Sequence, residues 1–176
     1  MGRVLWNPLG QLDSVWTKNQ GTLRFGYDGF GRRVRVDDAG TEKRFIYDGA
    51  HVFMELDVSG SISIVAEYTY YPGMDRPHSV RRGGATGSTY YYAMDYPGNV
   101  VGLIDGNDDL AARYRYAPFG ESELATGSLA QANPLRFAAR EYDATSGLYY
   151  MRARYYDPEV GRFISEDPLG LADGIN

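Results

Sequence analysis

Few residues in this sequence combine the type and the spacing that catalysis, metal binding or phosphate binding requires. His51 and His78 are the only histidines, and neither belongs to a G-x-S-x-G or H-E-x-x-H motif, so we interpret both as strand or loop residues. Residues 83–89 (GGATGST) resemble a phosphate-binding loop but lack the lysine that would reach the phosphates. Cysteine is absent, which excludes disulfides, thiolate metal sites and thiol nucleophiles. The sequence therefore predicts neither a metal nor an organic cofactor.

The charge balance narrows the range of partners. The formal net charge of −5 argues against binding to nucleic acid or to an anionic membrane, because both require a basic surface. Lys18 and Lys43 are the only lysines, so 16 of the 18 basic residues are arginines, whose guanidinium groups stack on aromatic rings. No apolar run reaches the ~18 residues of a membrane span, and nothing marks a signal peptide. If the chain is exported, we expect another element to direct its export.

The elements that would position any site are short β-strands. Sixteen tyrosines and 22 glycines favour an all-β, antiparallel fold, because tyrosine suits a pleated surface and glycine supplies positive φ in tight turns. In residues 114–116 (YRY) the two tyrosines would share one face of a strand and the arginine the other. Residues 81–88 and 124–133, which are poor in apolar side chains, are predicted to be exposed loops.

An internal repeat organises the chain. Five segments share an aromatic alternation that runs into a Gly, Pro or Asp turn: residues 24–36, 44–56, 67–77, 89–105 and 112–122. The marker tyrosines 27, 47, 70, 92 and 116 are separated by 20, 23, 22 and 24 residues. That spacing is the length of two strands and two turns, so each repeat should be a hairpin plus its connection.

The repeat turns carry the residues that hairpins need. We expect their aspartates to accept hydrogen bonds from neighbouring backbone N–H groups, as Asp commonly does in turns. The residues of the two turns are Tyr27, Asp28, Gly29, Tyr47, Asp48 and Gly49. Trp6 and Asn7 occupy the Tyr and Asp places of a weaker N-terminal copy. The chain is therefore expected to begin within an array, with an open strand edge that invites self-association or an upstream partner.

These units resemble the YD repeats of Rhs proteins, of the C components of bacterial insecticidal toxin complexes, and of teneurins. From residue 133 onward the sequence is similar to the Rhs repeat-associated core domain, in which an R-Y-Y-D-P-x-x-G-R-F stretch leads to D-P-x-G. The motif residues that match are Arg154, Tyr155, Tyr156, Asp157, Pro158, Gly161, Arg162, Phe163, Asp167, Pro168 and Gly170.

The resemblance implies a long sheet that spirals into a hollow shell around a toxin cargo. It divides the chain into a YD-repeat segment, residues 1–132, and a core motif, residues 133–176, that is incomplete at its C-terminus. We expect this piece to form part of the shell or a plug at its end. Its partners would then be the remainder of the shell and the cargo, within a secreted, cell-surface or contact-delivered bacterial toxin system.

The family's core domain can also act as an aspartyl protease that cuts the chain downstream. That chemistry needs two carboxylates sharing one proton. Asp167 matches the first, and Arg154 matches an arginine near the family's cleavage site. The second aspartate belongs to a further motif that this chain is expected to lack, although Asp157 and Asp173 are alternatives. We therefore expect a non-enzymatic chain in which Asp157 and Asp173 form turns and the remaining motif residues are structural.

Two other functions stay open. One is an autoproteolytic core domain that releases the toxin. The other is a carbohydrate or cell-surface binding module, since exposed tyrosine rings can stack on sugars. Cross-strand packing explains the same tyrosines without any ligand.

Overall fold

The computed structural model describes residues 3–17 and 21–167, which fold almost entirely into antiparallel strands. Twelve strands form the first sheet, in which each strand pairs only with its neighbours along the chain. They are β1 (Arg3–Trp6), β2 (Leu12–Thr17), β3 (Gly21–Tyr27), β4 (Arg33–Asp38), β5 (Thr41–Asp48), β6 (His51–Asp57), β7 (Ser63–Tyr70), β8 (Pro77–Arg82), β9 (Ser88–Met94), β10 (Val100–Ile104), β11 (Leu110–Tyr116) and β12 (Ser122–Thr126). The predicted all-β fold of antiparallel hairpins is confirmed.

Four more strands form a second sheet in the same sequential order. They are β13 (Glu141–Asp143), β14 (Leu148–Met151), β15 (Arg154–Asp157) and β16 (Arg162–Phe163). Helix is limited, in the described ranges, to single 3-10 turns at Gly84–Thr86 and Phe137–Ala139. No helix in the part of the chain that the structure describes is long and apolar enough to cross a membrane.

Strand alternation gives the first sheet one buried face. Leu23 and Phe25 on β3 are buried while Arg24 between them is exposed, and Phe25 pairs across the strands with buried Val36 on β4. Side chains on a strand alternate between the two faces, so this sequence pattern fixes which face packs.

The second sheet packs against the buried face near β2–β5. One core cluster contains residues of both sheets: Leu12, Val15, Leu23, Phe25 and Val36 from the first, and Leu148, Tyr150 and Tyr155 from the second. A second cluster lies under β6–β11 and includes Val52, Tyr68, Val80, Leu103 and Tyr114. The core motif therefore completes the hydrophobic core of the repeat sheet.

Two segments predicted to be exposed loops are partly strand. Arg82 is the last residue of β8 and Ser88 the first of β9, so the connection between them is short. Residues 124–126 belong to β12, where Leu124 pairs with Arg115 and Ala125 with Tyr114. The glycine and the small polar residues that follow concealed these three strand residues, and β12 lies at the edge of the sheet, where a short strand is sufficient.

A buried polar connection leads from β12 to the second sheet. Asn133 is fully buried, donates to the Leu135 carbonyl and accepts from the Tyr92 hydroxyl at 2.9 Å. Arg136, also buried, donates to the Ala130 carbonyl at 2.9 Å. Buried polar groups are costly unless they are hydrogen-bonded, so these bonds fix the path of the connection.

Repeat tyrosines tie successive turns along one rim of the first sheet. Each stands at or next to the end of an odd-numbered strand, and its hydroxyl donates to a main-chain carbonyl at the start of the preceding even-numbered strand. The bonds are Tyr27 to Leu12 (2.8 Å), Tyr47 to Arg33 (2.8 Å), Tyr70 to Val52 (3.1 Å) and Tyr116 to Val100 (2.7 Å). Burial raises the pKa of all four hydroxyls, which keeps them protonated as donors.

The fourth repeat departs from this pattern. Met94 stands at the end of β9, where the other repeats place tyrosine, and Tyr92 lies within the strand. Tyr92 instead donates to Asn133. Tyr92 therefore marks the repeat in the sequence, but its hydroxyl bonds to the connection that leads to the second sheet and not to a carbonyl of the rim.

We predict that Tyr47→Phe lowers the free energy of unfolding by about 1–2 kcal/mol, because the partly buried carbonyl of Arg33 loses this donor. Tyr91→Phe is the matched control, since the half-exposed Tyr91 hydroxyl makes no hydrogen bond within the described residues and the substitution keeps the ring that contacts His78. The control should change stability by less than about 0.5 kcal/mol. Urea denaturation measures both, and equal effects of the two substitutions would contradict a stabilising role for the rim bond.

Candidate functional site

The repeat turn at Asp28 is held by its own side chain. Oδ1 of Asp28 accepts from the backbone N–H groups of Phe30 and Arg32, each at 2.9 Å, and Oδ2 accepts from Arg32 Nε at 2.7 Å. Desolvation tends to raise the pKa of Asp28, but the hydrogen bonds from Arg32 and Phe30 outweigh it and lower the pKa from its usual value. Asp28 thus accepts from backbone donors, as the sequence indicated for this position.

The same arrangement recurs where the sequence departs from Tyr-Asp-Gly. Asn7 accepts from Leu9 N–H at 2.9 Å and Gln11 N–H at 3.0 Å through Oδ1. Asp105 accepts from two backbone N–H groups of its own turn at 2.8 and 3.1 Å. Asn7 therefore accepts the same pattern of backbone hydrogen bonds that Asp28 and Asp105 accept in their turns.

The turn at Asp48 is built differently. Asp48 is the last residue of β5 and pairs with His51, so only Gly49 and Ala50 form the loop. In the described residues no backbone donor reaches the Asp48 side chain, contrary to the expectation for this aspartate. A two-residue loop closes with strand-to-strand bonds, which leaves no nearby N–H for the side chain to accept.

The core motif brings Arg154, Phe163 and Asp167 together. Arg154 lies on β15, Phe163 ends β16, and Asp167 follows four residues later. Nη2 of Arg154 is 2.9 Å from Oδ2 of Asp167, and its guanidinium carbon lies 3.7 Å from the centroid of the Phe163 ring. The two residues with a predicted catalytic role therefore form an ion pair that is stacked on an aromatic ring.

Other core-motif residues shape the turn between β15 and β16. Asp157 is buried and accepts from Glu159 N–H at 2.9 Å, and Pro158 after it is also buried. Gly161 has a φ of +67° and lies against the Phe119 ring. Asp157 pairs across the strands with Arg162. Pro168, Gly170 and Asp173, which the sequence also singled out, lie outside the described residues.

Arg33 joins the two sheets, and no motif drew attention to it. It is 5% exposed, and its guanidinium lies over Tyr150 at 4.4 Å from the ring centroid, with Phe25, Phe45 and Tyr155 between 5.6 and 5.9 Å away. Its backbone N–H donates to the Tyr150 hydroxyl at 2.9 Å. The excess of arginine over lysine pointed to such stacking in general, but not to this residue.

A second contact between the sheets centres on Asp75 in the β7–β8 turn. Its carboxylate accepts from Nη2 of Arg152 at 2.7 Å and also pairs with Arg140, which precedes β13. Burial lowers the pKa of Arg140, and the Asp75 carboxylate opposes that shift. Backbone N–H of Asp75 donates to Nε2 of His51 at 3.3 Å, and the His51 ring stacks on Tyr70.

Between the sheets lies a cavity of about 270 Å³ that both apolar and charged side chains line. Its lining includes Arg33, Lys43, Glu55 and Glu141. Lys43 pairs with Glu55 at 2.7 Å, and the Tyr68 hydroxyl donates to the same carboxylate at 3.1 Å. Across residues 3–17 and 21–167, no group of three or more His, Asp or Glu side chains could hold a metal ion.

Comparison with known proteins identifies the fold and its relatives. Double-stranded DNA deaminase toxin A of Burkholderia cenocepacia (strain H111) is 30% identical over 183 residues, covering 87% of this chain and 12% of that protein. The probable deoxyribonuclease RhsA of Dickeya dadantii (strain 3937) is 30% identical over 176 residues, covering 96% of this chain and 12% of that protein. The chain therefore spans only a small part of the length of either relative.

The crystal structure of TcdB2-TccC3 has a similar fold. The alignment covers 99% of this chain and 9% of the chain in that structure, with a TM-score of 0.71 and 22% sequence identity. The predicted resemblance to YD-repeat proteins is confirmed by a family model described as the teneurin YD-shell, which matches residues 2–173. Because that match covers nearly the whole sequence, this chain belongs to the teneurin YD-shell family.

Proposed function

We propose that this chain is a structural segment of a YD-repeat shell, in which a core motif (residues 133–176) closes one end of a repeat strip (residues 1–132). The observation that carries the proposal is the core shared by the two sheets. Leu148, Tyr150 and Tyr155 of the second sheet pack with the repeat residues of β2–β4. A sheet that covers the buried face of the strip in this way is suited to act as an end plug.

The cargo of such a shell would be a toxin. Both relatives described above bear names of toxins or nucleases, and this chain matches 12% of each. We assign the activities in those names to parts of the relatives outside the matched segment. For this chain we therefore propose the remainder of a shell and an enclosed toxin as partners, in a secreted or contact-delivered bacterial system.

Nucleic acid is not among the partners that we propose for this segment. Its net charge of −5 lacks the basic balance of proteins that bind phosphate backbones. Three of its arginines are engaged within the fold, since Arg33 lies inside the core and Arg140 and Arg152 pair with Asp75. An action on nucleic acid would then belong to the cargo.

We also propose that this chain does not cleave itself. An aspartyl protease needs two carboxylates that share a proton, one of them acting as base towards water. Asp167 is paired with the Arg154 guanidinium, and Asp157 accepts a backbone hydrogen bond within its own turn. These contacts suit an anchor for the chain after β16 better than a catalytic pair.

Carbohydrate binding by the repeat tyrosines is less well supported than enclosure. The repeat tyrosines Tyr27, Tyr47, Tyr70 and Tyr116 are largely buried, and their hydroxyls are bound to main-chain carbonyls. A sugar-binding platform needs a free ring face. We therefore favour the structural explanation of these tyrosines.

The plug assignment predicts that Asp75→Asn loosens the second sheet from the first. Weakening two partly buried ion pairs should lower the free energy of unfolding by about 1–3 kcal/mol and speed amide hydrogen exchange in β13–β15. Glu123→Gln is the matched control, because the exposed Arg115–Glu123 pair lies within the first sheet and should contribute less than about 1 kcal/mol. Unchanged exchange in the second sheet of Asp75→Asn would count against the proposed plug contact.

The structural role predicts that the purified chain stays intact during prolonged incubation from about pH 4 to pH 8. Asp167→Asn should leave that result unchanged, as should the neighbouring control Glu166→Gln. Intact-mass spectrometry measures the outcome. A cut that disappears in Asp167→Asn but persists in Glu166→Gln would overturn the proposal and show that a second carboxylate completes a protease site.

A further inference from the structure

Three Asp-Gly pairs lie in turns of the described residues: Asp28-Gly29, Asp48-Gly49 and Asp105-Gly106. A fourth, Asp173-Gly174, lies outside them. In such pairs the glycine amide nitrogen can attack the aspartate side chain, since glycine has no Cβ to obstruct the approach. Whether this happens depends on how tightly the folded turn holds the carboxylate, and the three turns differ in that respect.

Two of the three carboxylates are held in place. Oδ1 of Asp28 accepts two backbone N–H groups at 2.9 Å, and Oδ2 accepts from Arg32 Nε at 2.7 Å. Oδ1 of Asp105 accepts from Asn107 N–H at 2.8 Å and Asp109 N–H at 3.1 Å. Attack on either side chain requires these bonds to break first. In addition, hydrogen bonds from Arg32 lower the pKa of Asp28, which reduces the protonated form that reacts as an electrophile.

The Asp48 carboxylate is not held by such hydrogen bonds. Its side chain is exposed, and within the described ranges it makes no hydrogen bond or ion pair. A Cβ built on Gly49 would meet no atom within 4 Å, as is also true of Gly29 and Gly106, so the turns are equally open and the unbound carboxylate is what distinguishes Asp48. The carboxyl group and water are therefore both free to move around the Gly49 amide.

From this contrast we propose that the Asp48–Gly49 peptide is a site of spontaneous aspartate isomerisation. The Gly49 amide nitrogen loses its proton and bonds to Cγ of the protonated Asp48 side chain, and the Cγ–OH bond breaks to release water. The product is a five-membered succinimide. Water then opens the ring, and rupture of the bond between nitrogen and the Asp48 main-chain carbonyl carbon leaves isoaspartate. One water leaves and one returns, so the mass is unchanged overall and no oxidant or cofactor is needed.

The modification would alter a turn that contributes to the joint between the sheets. Isoaspartate carries the chain through Cγ, which adds one methylene to the backbone of a two-residue loop. Gly49 O accepts from Arg32 Nη1 at 2.7 Å, and His51, the next strand residue, accepts from Asp75 N–H. We therefore expect the isomerised turn to disturb the contact with the neighbouring repeat and the position of His51.

The test compares the three pairs within one molecule. The full chain is incubated at mildly acidic pH and physiological temperature, and isoaspartate is measured in each peptide by electron-transfer mass spectrometry. Breaking one carboxylate hydrogen bond costs enough to slow attack about tenfold. We therefore expect at least about tenfold more isoaspartate at Asp48 than at Asp28 or Asp105. Similar amounts at all three positions, or none at Asp48, would overturn the proposal.

Two substitutions of Asp48 test whether the reaction depends on the chemistry of its side chain. Asp48→Glu keeps the charge but requires a slower six-membered ring, so the signal at this position should disappear. Asp48→Asn should form the same succinimide with loss of ammonia, and the gain of about 1 Da in product mass would report it. Circular dichroism confirms that each variant is folded. A signal at Asp48 that appears only in unfolded chain would also contradict the proposal, which assigns the reaction to the folded turn.

Discussion

A tyrosine hydroxyl bound to the main-chain carbonyl of the preceding turn is the contact that the repeat sheet depends on. In the first sheet every strand pairs only with its neighbours along the chain, so backbone hydrogen bonds alone hold the strip together locally. Tyr27, Tyr47, Tyr70 and Tyr116 add bonds that reach back 14 to 18 residues and fix each turn relative to the one before it. Because the hydroxyl is buried and polar, it stabilises only one arrangement of ring and carbonyl, which gives the strip a defined register as well as stability.

The second sheet depends on that register. Arg33 is the first residue of β4, and its main-chain carbonyl accepts the hydrogen bond from Tyr47. Its guanidinium is surrounded by the rings of Phe25, Phe45, Tyr150 and Tyr155. A buried guanidinium is costly to desolvate, and ring faces together with tyrosine hydroxyls offset part of that cost only when they stand in the correct places. A shift of the β5–β6 turn relative to the start of β4 would therefore expose this charge or leave it buried without its aromatic neighbours. The repeat bond and the joint between the sheets are thus two parts of one polar arrangement.

Much of this fold could be predicted from sequence because the determining features are local. The spacing of Tyr27, Tyr47 and Tyr70 gave the hairpin repeat, and the place of Asn7 beside Trp6 identified a turn that Tyr-Asp-Gly would have missed. The core motif also singled out Arg154 and Asp167, but only the structure shows that the two are paired. The rest depends on contacts between residues distant in sequence. Nothing in the local pattern around Asp75 indicates that arginines about 65 and 77 residues later will meet it, and the glycine and small polar residues that follow β12 concealed the end of that edge strand.

The distribution of contacts suggests how stability is shared along the chain. The repeat strip is supported at many points by equivalent local bonds, so the loss of one should be tolerated, as in repeat proteins whose stability is a sum of neighbouring terms. The second sheet has four strands of two to four residues and is attached through a hydrophobic cluster, Arg33, the ion pairs of Asp75, and tyrosine hydroxyls that donate to the Gly120 and Phe119 carbonyls. Strands this short have few backbone hydrogen bonds of their own, and regions with few local contacts open at lower free energy than the rest of a fold. The stability of the second sheet therefore depends on its contacts with the first sheet, whereas the strip is stabilised by contacts between its own neighbouring repeats.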